Sequence, residues 1–235
     1  MGTPTRFTYG ATTVAKGKPL GDYPLQSPFN SSSDVGYGVA SYVNDFQSTV
    51  AEYTVTGTSS TFALTSGAGG VAILTPGGTT TATSAYKTAQ NFQFISGQKA
   101  WFVSRFQASA VSGTKSFYVG LQAGSATTDG LWFAKAASST SINLVSTVGS
   151  TATTLVTGVA TAAAATNVEL GLYFDGTDLQ VFANGNLVAR VSSPTIGTSA
   201  TTLTSVVLSP VFQITPTATD TLTVDYVLAA EEISR

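Results

Sequence analysis

The segment LGLYFDGTDLQVFANGNLVARV, residues 170–191, decides the fold. Three short apolar runs are separated by two turn dipeptides, Asp175-Gly176 and Asn184-Gly185. Gly, and Asn beside it, accept the positive φ that lets a chain reverse within two residues, so the segment reads strand, hairpin, strand, hairpin, strand. Val168, Leu170, Leu172 and Phe174 alternate along the first run, which sets them on one face of a half-buried strand. Val181 and Leu187 fall at alternating positions beside the turns.

The same grammar extends outward in both directions. Short β-branched and aromatic runs bounded by Gly, Asn, Asp, Ser or Pro predict strands at Val50–Thr56, Thr61–Thr65, Val71–Thr75, Asn91–Ile95, Ala100–Ala108, Phe117–Gln122 and Leu131–Ala134. Further strands are predicted at Ser141–Val148, Thr153–Thr157, Asn167–Phe174, Leu179–Ala183, Leu187–Val191, Leu203–Val211 and Thr221–Ala229. In the last, Leu222, Val224, Tyr226 and Leu228 are expected to share one face. Gly67–Gly70 and Pro76-Gly77-Gly78 mark turns, and Pro210 and Pro216 mark a bend or an edge. So many short strands cannot remain one open twisted sheet, which predicts an all-β protein built as a two-sheet antiparallel jelly-roll sandwich. The single candidate helix spans Asp34 to Phe46.

Composition narrows the chemistry. Hydrophobic residues make up 43% of the 235 and charged residues 9%, against about 25% charge in an average soluble domain, so hydroxyls must coat the surface. Ten basic and twelve acidic residues give a net charge of −2 with no run of either sign. Without a concentrated basic face, nucleic acid is not an expected partner. The start of the chain has no charged-then-apolar signal layout, and the apolar run Val159 to Ala165 is far below the roughly 20 residues a spanning helix needs, so no membrane partner is expected. The chain has neither Cys nor His, which removes thiol chemistry and much of the usual metal and base repertoire.

Residues 1–35 differ from the rest and predict an extended Pro/Gly-rich N-terminal arm before a sandwich of residues 36–235. Pro4, Pro19, Pro24 and Pro28 block helix and central strand alike. The arm nevertheless carries Phe7, Tyr9, Val14, Leu20, Tyr23, Leu25 and Phe29, more apolar groups than a solvated linker needs. Ordering such a segment costs more conformational entropy than its own side chains recover, so it requires a partner surface. The candidate partner-binding residues are Arg6, Phe7, Tyr9, Lys16, Lys18, Leu20, Tyr23, Leu25 and Phe29, with Leu20, Tyr23, Leu25 and Phe29 as anchors.

The chemistry-bearing residues are sparse. The four glutamates Glu52, Glu169, Glu231 and Glu232 form no clustered alternating pair of the kind glycoside hydrolysis uses, and Glu169 reads as a solvated strand residue. Asp175 and Asp178 offer oxygen ligands to calcium, but turn formation explains both. Trp101, Trp132, Tyr118 and Tyr173 could stack on sugar rings, whereas the strand positions of the two tryptophans suggest core filling. The expectation is therefore no enzyme, no catalytic residue, no metal and no cofactor.

Residues 170–191 resemble the strand and hairpin signature of concanavalin-like and laminin-G-like sandwiches. The whole chain also resembles tailed-phage virion proteins, through Lys16–Asp22, Glu52–Thr56, Lys99–Arg105, Phe117–Leu121, Asp129–Phe133 and Leu222–Ala230. That resemblance implies a capsid decoration or cement protein, made in the host cytoplasm and placed on the capsid exterior. It implies the major capsid protein and copies of the same chain, as a trimer, for partners. The alternative is a carbohydrate-binding, lectin-like module of a phage fibre or capsid surface, with a glycan as partner.

Overall fold

The computed structural model describes residues 37–65, 70–78, 82–89, 92–111, 115–125, 128–192, 206–215 and 220–234. The predicted arm and all of its candidate residues, from Arg6 to Phe29, lie outside the described residues. The described residues contain strands and turns and no helix.

Among the described residues, fifteen strands, numbered along the chain, form two antiparallel sheets. The eight-stranded sheet contains β1 (Tyr37–Asn44), β3 (Thr61–Thr65), β4 (Val71–Thr75), β6 (Ala100–Ala108), β11 (Val168–Phe174), β12 (Leu179–Ala183), β13 (Asn186–Val191) and β15 (Leu222–Ser234). Its order is β13-β12-β11-β6-β15-β4-β3, with β1 paired to the far end of β15. The seven-stranded sheet contains β2 (Tyr53–Thr56), β5 (Thr83–Lys87), β7 (Ser116–Gln122), β8 (Gly130–Lys135), β9 (Ser141–Val148), β10 (Thr151–Thr161) and β14 (Ser209–Thr215), in the order β10-β9-β8-β7-β14-β5-β2.

Alternate residues of each strand meet between the sheets, as the period of two requires. Phe102, Phe106, Leu170, Leu172, Leu222 and Val224 come from one side and Val119, Leu121, Phe133, Leu144 and Phe212 from the other, all buried in one core. At one end Phe62 packs against Tyr53, Phe46 and Phe212 with ring centroids 5.1, 5.6 and 5.9 Å apart, which joins the two sheets through aromatic contacts. The hairpins read from residues 170–191 are present. Gly176, Asn184 and Gly185 have φ of 97°, 48° and 74°, and Val168, Leu170, Leu172 and Phe174 all face the core.

Four sequence expectations are corrected, and one strand, β5, has no counterpart among the predicted ones. Asp34 to Phe46 is not helical where described: Tyr37–Asn44 is a strand, because its aromatic, β-branched and Gly residues favour extended backbone and β15 offers it eight paired positions. β5 carries no apolar alternation; its inward residues are Thr83, Ala85 and Lys87, so its central place beside β14 is invisible to a hydrophobic pattern. Asn91–Ile95 supplies one bridge, Phe92 to Leu208, and two rings that enter the core. β14 begins at Ser209 rather than Leu203 and runs on to Thr215, with Pro210 near its start, where a missing N–H is tolerated. A bulge between Val224 and Tyr226 breaks the predicted face of the last strand: Leu222 and Val224 point inward, Tyr226 and Leu228 outward.

Candidate functional site

The outer face of the seven-stranded sheet is built from the residues that alternate with its core positions. Register places Asn143, Ala134, Tyr118, Gln213, Ser84 and Thr56 side by side in one row across six strands. The next row is Val145, Trp132, Gly120, Val211, Tyr86 and Thr54. Neither row holds a charged side chain. Aromatic faces, amides and hydroxyls are the groups that pair with sugar rings and sugar hydroxyls.

Glycine sets the shape of this face. A Cβ on Gly130 would lie 1.9 Å from Trp132 Cζ3, so the indole lies over the bare backbone of the residue two before it. A Cβ on Gly120 would lie 2.5 Å from Trp132 Cα. Trp132 is buried in the outer layer, with Tyr118 edge-on at 5.9 Å. Tyr118, Gln213 and Tyr86 remain half-buried. Among the described residues, neither the Tyr118 hydroxyl nor the Gln213 amide has a hydrogen-bond partner. Both lie on directly paired positions of β7 and β14.

The carboxylates lie elsewhere. On the outer face of the eight-stranded sheet, Glu169 accepts a hydrogen bond from the Tyr226 hydroxyl at 2.6 Å, and Arg105, between them in register, pairs with Asp225 at 3.2 Å. Burial, then the bond to Glu169, pushes the Tyr226 phenol well above its ordinary value. Glu169 is thus a bonded member of a cluster, not the solvated residue expected. Glu232 binds Lys99 at 2.9 Å. Glu231 points inward, accepts the Gln93 N–H and is raised by burial. Glu52 accepts from Tyr42 at 2.6 Å and Asn44 at 3.0 Å at the junction of β1 and β2.

Asp175 is committed to its turn, where Oδ1 accepts the N–H groups of Thr177 and Asp178 at 2.9 and 2.7 Å. No group of three or more Asp or Glu able to hold a metal occurs among the described residues. The four aromatics expected as a glycan platform are divided. Tyr118 and Trp132 share the seven-stranded sheet, while Trp101 and Tyr173 meet on the other with tilted rings at 5.2 Å. Burial first, then Asp175 and Glu232, raises the Tyr173 phenol to about 12. The expectation that the tryptophans fill the space between the sheets is corrected: both belong to outer layers, on strand positions that alternate with core residues. Gln213 carries no signal in the sequence, because the predicted strand Leu203–Val211 ends two residues before it whereas β14 runs on to Thr215.

No protein-family model matches the chain, and no curated protein matches it in sequence. Solved structures do match its fold. An endo-1,3-beta-glucanase from Streptomyces sioyaensis superposes with a TM-score of 0.58 at 13% identity, over 87% of this chain and 99% of that one. SCLam, a non-specific endo-beta-1,3(4)-glucanase from family GH16, gives 0.55 at 11% identity over 86% and 93%. The CBM2 module of the Lactobacillus casei BL23 phage J-1 evolved Dit gives 0.53 at 14% identity over 83% and 97%. The chain is therefore a jelly-roll sandwich of the concanavalin-like type, a fold shared with glycosidases and with carbohydrate-binding proteins, phage proteins among them.

These likenesses overturn the expectation that the chain is no enzyme. Two of the three structures are glucanases. Missing His and Cys exclude little on such a scaffold, because glycoside hydrolysis is carried out by carboxylates.

Proposed function

We propose that this chain is a glycan-binding jelly-roll module of a phage particle and that the outer face of its seven-stranded sheet is the binding surface. The observation that carries the reading is the pairing of Tyr118 and Gln213 across β7 and β14. Two half-buried polar groups without a described hydrogen-bond partner stand beside a fixed indole on an uncharged face. One sugar hydroxyl bonded to the Gln213 amide and another bonded to the Tyr118 hydroxyl would satisfy both. The phage module and the glucanases of like fold support a glycan ligand.

The virion is the proposed location, supported by the phage setting of one similar structure. A capsid position, with the major capsid protein and two further copies as partners, is a narrower statement that no described feature singles out. The test is a glycan array that includes β-1,3- and β-1,4-linked glucans and bacterial surface polysaccharides, with release of reducing ends measured in parallel. Saturable binding without product release supports a binding module, product release makes it a hydrolase, and no binding to any glycan refutes the proposal.

A further inference from the structure

The outer face of the eight-stranded sheet carries an apolar band. Register aligns Val43, Leu228, Val103, Gly171, Phe182 and Leu187 in one row through β1, β15, β6, β11, β12 and β13. The adjacent row is Ser41, Ala230, Trp101, Tyr173, Gln180 and Arg190. The band is flanked on one side by Glu169, Arg105 and Asp225 and on the other by Lys99 and Glu232.

Its middle is shut off from solvent while its ends are not. Trp101 and Phe182 are each 3% exposed, Val103 and Leu228 each 7%, and Ala230 1%, whereas Val43 is 52% and Leu187 46% exposed. Every described strand belongs to one of the two sheets, so none lies across this face. Among the described residues, the hydrophobic side chains packed on the cluster are Tyr173 and Tyr226, which stand in the same layer. Two half-buried tyrosines beside the indole do not by themselves account for its burial.

We propose that this face is the docking site of the chain's own N-terminal segment, residues 1–36. Length and entry point favour it. The segment enters β1 at Tyr37, paired with Ser234, four residues from the row of Trp101. Thirty-six extended residues reach about 120 Å, while crossing five strand spacings needs about 24 Å. Composition favours it too: Phe7, Tyr9, Leu20, Tyr23, Leu25 and Phe29 suit an apolar band, and Pro4, Pro19, Pro24 and Pro28 hold a crossing strap extended without demanding ladder partners. The other long stretch outside the described residues, 193–205, offers only Ile196 and Leu203 as large apolar groups and must lead from β13 to the opposite sheet.

The test uses the full chain with Trp132→Phe, which leaves Trp101 as the sole tryptophan. Replacing Leu20, Tyr23, Leu25 and Phe29 together by Ser is expected to move Trp101 emission to longer wavelength and raise acrylamide quenching several-fold, with the β-sheet circular dichroism and cooperative unfolding retained. Unchanged emission and quenching overturn the proposal. Should the variant fail to fold, the cysteine-free background allows one Cys at Tyr23 and one at Leu187 for cross-linking. A link within one chain supports the proposal, while a link only between chains, or none, overturns it.

Discussion

The Tyr226 hydroxyl reaches Glu169 Oε2 at 2.6 Å across the whole width of β6, over the backbone of Arg105. The bulge after Val224 makes this contact, since a regular strand would have turned Tyr226 into the core. Tyr226→Phe removes a bond to a charged acceptor on a partly exposed face. It is expected to lower stability by about 1 kcal/mol, below the roughly 1.5–3 kcal/mol of bonds to charged groups because solvent screens it. A denaturation midpoint equal to the parent's would show that the bond is solvent-replaceable.

Gly130 gives the Trp132 indole its seat. In Gly130→Ala, Cβ collides with Trp132 Cζ3 and Cε3 and lies 2.7 Å from Leu121 O, so the ring must move. The expected cost is about 1–3 kcal/mol, as for other overpacked sites. The near-UV circular dichroism should change, and a ring that keeps its signal contradicts the placement.

Glu231 carries a pH-dependent load. Burial raises its carboxyl above the ordinary 4.5, against the opposing Gln93 N–H. The native state therefore holds this proton to higher pH than the unfolded chain does. The associated stability is complete below about 4.5 and is lost as pH rises through the native value. Glu231→Gln is expected to melt above the parent at neutral pH, with the gap closing in acid. A gap that widens in acid reverses the sign and refutes the assignment.

Asp175 shapes the hairpin between β11 and β12 through two N–H bonds to one carboxylate oxygen. Asp175→Ala should cost about 1 kcal/mol, in line with other side-chain caps of backbone N–H groups, while Asp175→Asn should cost much less. Thermal melts of the two variants distinguish turn formation from a need for negative charge.

Much of the sandwich was legible where residues alternate cleanly. β3, β4, β6, β9 and β12 fall on their predicted bounds, because core contacts and strand period coincide there. Legibility failed where the fold uses no apolar signal, as in Thr83, Ala85 and Lys87 of β5, or where a bulge shifts the phase, as at Tyr226. It failed for the tryptophans because an aromatic in a strand is ambiguous between two faces, and only cross-sheet register separates Trp101 and Trp132 from the core. Tyr118 is a candidate glycan contact by residue type alone, while its neighbour Gln213 emerges only once β14 is paired with β7.

If the Tyr118 and Gln213 face binds glycan, those two side chains must carry much of the affinity. The measurement is calorimetric titration of the parent, Tyr118→Ala, Gln213→Ala and the opposite-face control Tyr226→Phe with the strongest ligand from the array. Millimolar or tighter binding is expected of the parent and Tyr226→Phe, with at least about a tenfold loss, roughly 1.4 kcal/mol, in each of the other two. Undiminished binding by Tyr118→Ala and Gln213→Ala would contradict glycan binding at this face.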